Sequence, residues 1–137
     1  MAGFFVVMSR FENTSQATLL VPANSRTHRF ESTAGLFVNT LLCAAQVDEH
    51  LSVAGFIRIV ATQFLECQQH ARYPFDHIWS DCSTGVPGLA CGAMFNYVDH
   101  CCLSISPHLD RLTMNPLHGK FELSMDVVRT GADDLEI

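Results

Sequence analysis

Between residues 51 and 71 the apolar side chains recur with a helical period, and this stretch limits the possible folds more than any other. Phe56, Val60 and Phe64 stand at i, i+4 and i+8, with Ile57, Ala61 and Leu65 beside them and Arg58, Gln63 and Glu66 off to the side. Ser52 is placed to cap this helix, and Asp48 and Glu49 precede its positive end. Pro74 stops it, because the residue before a proline is pushed out of the α region. Such a helix must lay its stripe on another layer. The runs around it have strand character. Residues 17–21 form a short apolar run halted by Pro22, and residues 36–47 carry β-branched Val38 and Thr40 near their start. Residues 93–98 read as a further strand, and residues 121–128 alternate Phe, Leu, Met and Val against Glu, Ser and Asp, a strand with one wet face. Residues 135–137 look like a strand cut short. Residues 2–11, apolar nearly throughout, favour helix by their length, and residues 75–79 have room for one more turn. Residues 23–33 are a polar loop, residues 83–92 are rich in Gly and Pro, residues 104–115 are irregular, and residues 130–134 form a turn. The expected class is α/β: a two-layer mixed sheet with packed helices.

With 137 residues the chain makes one folding unit. Its charged fraction of 16% is well below the usual ~25%, which implies that part of the surface is covered by a partner or by a further segment. A net charge of −6 with one lysine, Lys120, argues against nucleic-acid binding, which needs clustered Arg and Lys. No apolar run approaches the roughly 18 residues that span a bilayer. The apolar start from Met1 to Met8 has no basic n-region and no cleavage site, so a secretory signal is not expected and the cytoplasm is. The six cysteines, Cys43, Cys67, Cys82, Cys91, Cys101 and Cys102, contain no C-x-x-C pair and are expected as reduced thiols.

Two segments carry a resemblance. Gly35-Leu36-Phe37-Val38-Asn39-Thr40-Leu41 and His70-Ala71-Arg72-Tyr73-Pro74-Phe75-Asp76 resemble the Gly-x-Phe-Val-Asn-Thr-Leu and His-x-x-x-Pro-Phe-Glu motifs of nonribosomal peptide synthetase condensation domains. Four others follow the family's order. Residues 2–13 resemble the helix before the sheet of the C-terminal lobe, and residues 19–26 are similar to a segment reading Gly-x-Pro-x-x-x-Arg. Ala93-Met94-Phe95-Asn96-Tyr97 looks like the following Phe-Asn-Tyr strand, and Phe121-Glu122-Leu123-Ser124 like a Phe-Asp-Leu-Ser strand near the domain's end. The chain departs from the pattern in three places. A family arginine is missing near Cys43 or Ala44, Val21 stands where glycine is common, and the Arg-Asp-x-Ser-Arg-Asn-Pro-Leu motif is not recognisable between Asp81 and Leu89.

The resemblance implies one lobe of a chloramphenicol-acetyltransferase-like fold, with residues 1–137 as a partial condensation domain, its C-terminal lobe. It implies amide-bond formation between carrier-protein-bound thioesters, with no cofactor bound directly and substrates arriving on phosphopantetheine. The implied partners are the N-terminal lobe, peptidyl and aminoacyl carrier proteins and an adjacent adenylation domain. The family's catalytic motif, His-His-x-x-x-Asp-Gly, does not occur in the sequence. No catalytic residue is therefore assigned, the chain is expected to be inactive alone, and a truncated gene product is one account of it. The alternatives are a non-catalytic remnant serving as an interaction lobe, and a piece of a related ester-forming acyltransferase.

Asn24, Ser25 and Arg26 follow a strand on a polar loop, a common place for functional groups. They are candidates for a substrate tunnel or an inter-lobe contact, and equally suit an ordinary turn with a surface arginine. Asn39 is polar within an apolar strand and needs hydrogen-bond partners if buried. It either fixes the strand or faces the tunnel. His77-Ile78-Trp79-Ser80-Asp81 satisfies His-x-x-x-Asp but lacks the preceding His and the following Gly, and Asp99-His100 sits beside two cysteines. Neither is taken as catalytic. A metal site from Cys82, Cys91, His100, Cys101, Cys102 and His108 is not assigned, since adjacent Cys101 and Cys102 would point to opposite faces of a strand.

Overall fold

A computed structural model describes residues 1–83, 92–99, 121–129 and 135–137, with the side chains of Cys82, Ser83 and Glu136 excepted. In chain order the elements are α1 (Ala2–Phe11), β1 (Gln16–Asn24), a 3₁₀ turn (His28–Phe30), β2 (Val38–Gln46), α2 (Val53–Gln69), α3 (Phe75–Ser83), β3 (Ala93–Asp99), β4 (Leu123–Arg129) and β5 (Leu135–Glu136). The strands form one mixed sheet in the order β2-β1-β3-β4-β5. β1 pairs antiparallel with β2 and parallel with β3, β3 pairs parallel with β4, and β5 turns back antiparallel on β4. The α/β class expected from the sequence is the one observed. Of the Gly/Pro-rich stretch expected at 83–92, Ser83 instead ends α3 and residues 84–91 lie outside the described residues, as do the irregular stretch expected at 104–115 and the turn at 130–134.

Hydrophobic burial joins the layers. Ala17, Leu19, Val21 and Ala23 of β1 and Leu41, Cys43 and Ala45 of β2 occupy odd positions and so share one face. On that face they pack with Phe4, Phe5 and Met8 of α1 and Phe56 and Val60 of α2. Among the described residues Phe5 and Leu19 are the largest side chains fully removed from solvent, each contributing about 2 to 3 kcal/mol through burial. Val60 and Phe56 are the two buried members of the α2 stripe. Gln63, expected on the flank, instead turns its Oε1 inward, where no described group donates to it.

β1 does not stop at Pro22 but runs on to Asn24, and the pairing geometry explains why. Ser25 N donates to Phe37 O at 2.8 Å and Val47 N to Ser15 O at 2.7 Å, so odd-numbered residues exchange the β1–β2 hydrogen bonds. Even-numbered Pro22 directs its nitrogen the other way, toward β3, and there the bridge is at Leu20↔Met94 alone among the described residues. Its missing N–H interrupts no ladder.

Helix ends are set by local chemistry. α1 closes in a Schellman arrangement, with Asn13 in the left-handed region (φ 50°), Thr14 N donating to Ser9 O at 3.0 Å and Asn13 N to Arg10 O at 3.3 Å. Ser52 Oγ caps α2 by accepting from Gly55 N at 3.1 Å. Asp48 and Glu49 do not serve the dipole as expected, because α2 starts only at Val53. Asp48 Oδ1 accepts from His50 N at 2.9 Å, and Glu49 pairs with Arg10 of α1 at 2.6 Å. α2 ends at Gln69, two residues before the expected limit, and α3 is longer than the single turn expected. Pro74 both stops one helix and starts the next: its carbonyl accepts from His77 N and Ile78 N at 3.1 and 3.3 Å, and Asp76 sits in the first turn of α3.

Candidate functional site

At the C-terminal end of β1 the chain turns sharply into the loop before β2. Asn24 Oδ1 accepts from Arg26 N at 2.9 Å, a side-chain turn that redirects the backbone. Ser25 donates twice to Phe37 O, through N at 2.8 Å and Oγ at 3.0 Å. Arg26 then gathers the loop. Its Nη1 donates to Phe30 O at 2.6 Å and to Thr33 O, and its Nη2 to Gly35 O at 3.0 Å. The guanidinium lies 4.1 Å from the centre of the Phe37 ring, which stacks in turn on Phe30 at 5.7 Å. The planar five-donor fork suits this task, since it reaches three carbonyls while its face covers an aromatic ring.

Asn39 does the corresponding work at the start of β2. Its odd position places it on the helix-facing side, and its Nδ2 donates to Ala71 O at 2.9 Å and Tyr73 O at 2.7 Å. Its Oδ1 accepts from Phe75 N at 3.3 Å. The two motif segments are therefore bonded to each other: the start of β2 holds the bend between α2 and α3 through one amide.

A polar cleft of about 430 Å³ opens between these parts. Asn24, Ser25, Arg26, Thr27 and His28 form one wall, and Gln68, Gln69, Ala71 and Arg72 form the other. Three of the four expected site residues thus share a wall. Asn39 is not part of the lining and reaches it only through Ala71. The opposing Gln68, Gln69 and Arg72 were not legible as site residues, and their one signal was proximity to the His70–Asp76 segment. Ser25 Oγ gives its proton to the Phe37 carbonyl rather than to a base, so this hydroxyl is engaged in the loop and not activated as a nucleophile.

His77 and Asp81 lie a turn apart on α3. The His77 ring leans against Tyr73 at 5.8 Å between centroids, and Asp81 Oδ2 accepts from Tyr73 Oη at 3.2 Å. The Asp81 charge, more than the slight desolvation and the hydrogen bond, holds the Tyr73 phenol above its ordinary value. Both belong to this exposed corner, away from the cleft lining. Among the described residues no group of three or more His, Cys, Asp or Glu is placed to hold a metal. Cys91, His100, Cys101, Cys102, His108 and the Cys82 side chain lie outside the described residues, as does the His100 of the Asp99-His100 pair. No helix among the described residues is long and apolar enough to cross a membrane.

A family model for the condensation domain matches residues 1–97. N-(5-amino-5-carboxypentanoyl)-L-cysteinyl-D-valine synthase of Penicillium rubens is 28% identical over 76 residues, which are 55% of this chain and 2% of that protein. The hybrid PKS-NRPS synthetase iliA of Neonectria sp. is 34% identical over 74 residues, 53% of this chain and 2% of that protein. The chain spans only a small part of these relatives. The starter condensation domain of rhizomide synthetase RzmA superposes with a TM-score of 0.71 at 19% identity, covering 98% of this chain and 33% of that one. At this identity the likeness is one of fold. Because the family model covers well over half of its residues, the chain belongs to the condensation domain family.

Proposed function

We propose that the chain acts as the C-terminal lobe of a condensation domain in nonribosomal peptide synthesis. In that reading an amine on one carrier protein attacks a thioester carbonyl on another, the C–S bond breaks as the amide forms, and the released thiol stays on its phosphopantetheine arm. The lobe supplies a wall and the carrier-facing surface, while the N-terminal lobe supplies the histidine motif that this sequence lacks. Carrier proteins and a neighbouring adenylation domain are its partners. Asn24, Ser25 and Arg26 line the substrate path, and Asn39 holds the facing wall in place through Ala71.

The observation that carries the reading is the family match over residues 1–97. It is supported by the mutual hydrogen bonding of the two motif segments through Asn39. Placement of two tethered substrates is the larger part of such catalysis, and a polar cleft without an activated nucleophile suits a positioning lobe.

The test is reconstitution. The purified chain is mixed with two loaded carrier proteins, alone and with a separately expressed N-terminal lobe bearing His-His-x-x-x-Asp-Gly, and amide product is followed by mass spectrometry. No product alone and product on complementation are expected. Condensation by the chain alone would overturn the assignment of the chemistry to the other lobe, and carrier binding without any rescue would favour an interaction lobe.

A further inference from the structure

Two thiols meet where the last turns of α2 cross β2. Cys43 is on the helix-facing side of β2 and only 3% exposed, while Cys67, two residues before the end of α2, is half-buried. Cys67 packs against the apolar cluster that contains Cys43. Its Sγ donates to the Leu42 carbonyl at 3.8 Å, which brings it beside the backbone of Cys43. Neither is in a disulfide. Two thiols placed this near each other, one on a strand and one on the helix above it, are the arrangement a disulfide can close with modest side-chain and backbone movement.

We propose that Cys43 and Cys67 are a redox pair that closes to a disulfide by exchange with a small disulfide such as oxidised glutathione, clamping the final turns of α2 onto β2. Burial first, and then Cys67 beside it, push the Cys43 thiol up to about 12. It is a poor first nucleophile, and the order of steps follows. Cys67, the more accessible thiol, loses its proton and attacks the small disulfide. One S–S bond breaks, one glutathione thiolate leaves, and a mixed disulfide remains on Cys67. Cys43 then gives up its proton and attacks Cys67 Sγ, expelling the second glutathione. Two protein thiols are oxidised and one small disulfide is reduced to two thiols. Gln68 and Gln69, which immediately follow Cys67, line the polar cleft opposite Ser25 and Arg26. The clamp therefore fixes one wall of that cleft, and a reducing environment releases it.

The experiment uses the full chain under native conditions, oxidised with excess glutathione disulfide, then alkylated and digested with trypsin. Cleavage after Arg29, Arg58 and Arg72 places Cys43 in peptide 30–58 and Cys67 in peptide 59–72, with no other cysteine in either. The two peptides are expected to be recovered joined, two hydrogens lighter than their sum, and to separate on reduction. Cys67→Ala should leave Cys43 as a free thiol, whereas Cys43→Ala should leave Cys67 as the mixed disulfide. The oxidised native chain should melt roughly 5 °C or more above the reduced chain. Recovery of both peptides alkylated, joining only in urea, or a lower melting temperature on joining would each overturn the clamp.

Discussion

Replacing Asn39 by alanine and by aspartate separates a hydrogen-bonded positioning role from mere space filling. The wild-type amide donates to Ala71 O and Tyr73 O at 2.9 and 2.7 Å and accepts from Phe75 N at 3.3 Å. A net hydrogen bond is worth about 0.5 to 1.5 kcal/mol, and a group left without a partner away from water costs more. Tyr73 O is open to solvent and is rehydrated at little cost, while Ala71 O and Phe75 N are partly shielded. Asn39→Ala should therefore destabilise the fold by roughly 2 to 3 kcal/mol. Asn39→Asp keeps the shape and the bond from Phe75 N, but sets a carboxylate oxygen against two carbonyl oxygens. At pH 7 it should be at least as damaging as alanine, despite being isosteric. Those carbonyls, with partial desolvation, raise the carboxyl's folded-state pKa above its unfolded value. A group raised in this way contributes most below the unfolded pKa and loses that contribution as pH rises through the folded pKa. Asn39→Asp should therefore recover relative to Asn39→Ala as pH falls toward about 4, where the protonated acid can donate to one carbonyl. Urea unfolding of the three proteins at both pH values measures this directly. An Asn39→Asp variant as stable as wild type at pH 7 would refute the donor assignment and the pinning role with it.

Two further tests address the loop and the buried thiol. Arg26→Lys keeps the charge but loses the fork that spans Phe30, Thr33 and Gly35 carbonyls. It should cost about 1 to 2 kcal/mol and speed tryptic cleavage at Arg29 several-fold; an unchanged cleavage rate would refute the clasp. For Cys43 the unfolded thiol ionises near 9.0 and the folded one only near about 12, so the unfolded chain sheds its proton first and stability falls as pH rises between those values. Reduced wild type should lose about 1.4 kcal/mol per pH unit more than Cys43→Ala over that window, measured by denaturant unfolding from pH 8 to 10.5. Parallel curves would show that the thiol is not held neutral by the fold.

Some of this molecule is legible residue by residue. The α2 stripe of Phe56 and Val60 and its Ser52 cap were readable because helical period and capping are properties of neighbouring residues, and the apolar α1 segment was readable from its length. The same local logic placed β3 and β4 to within a residue or two. Where the reading missed, the deciding partner was distant. Pro22 looked like a strand stop, and it is tolerated because its nitrogen faces the side away from β2, a direction fixed by pairing with residues some twenty positions on. Asp48 and Glu49 looked like helix-dipole partners until the loop turned one onto His50 and carried the other to Arg10.

The candidate site divides along the same line. Asn24, Ser25 and Arg26 were found because polar residues after a strand mark a turn, and their turn bonds are short in sequence. That the opposite wall is Gln68, Gln69 and Arg72 was not readable, nor that Asn39 serves the α2–α3 bend rather than the cleft lining. The sequence by itself determined the elements, the α/β class and the family. Only the tertiary structure decided which polar atoms face one another, because a hydrogen bond across thirty residues depends on how helix and sheet layers pack, and no local pattern records that distance.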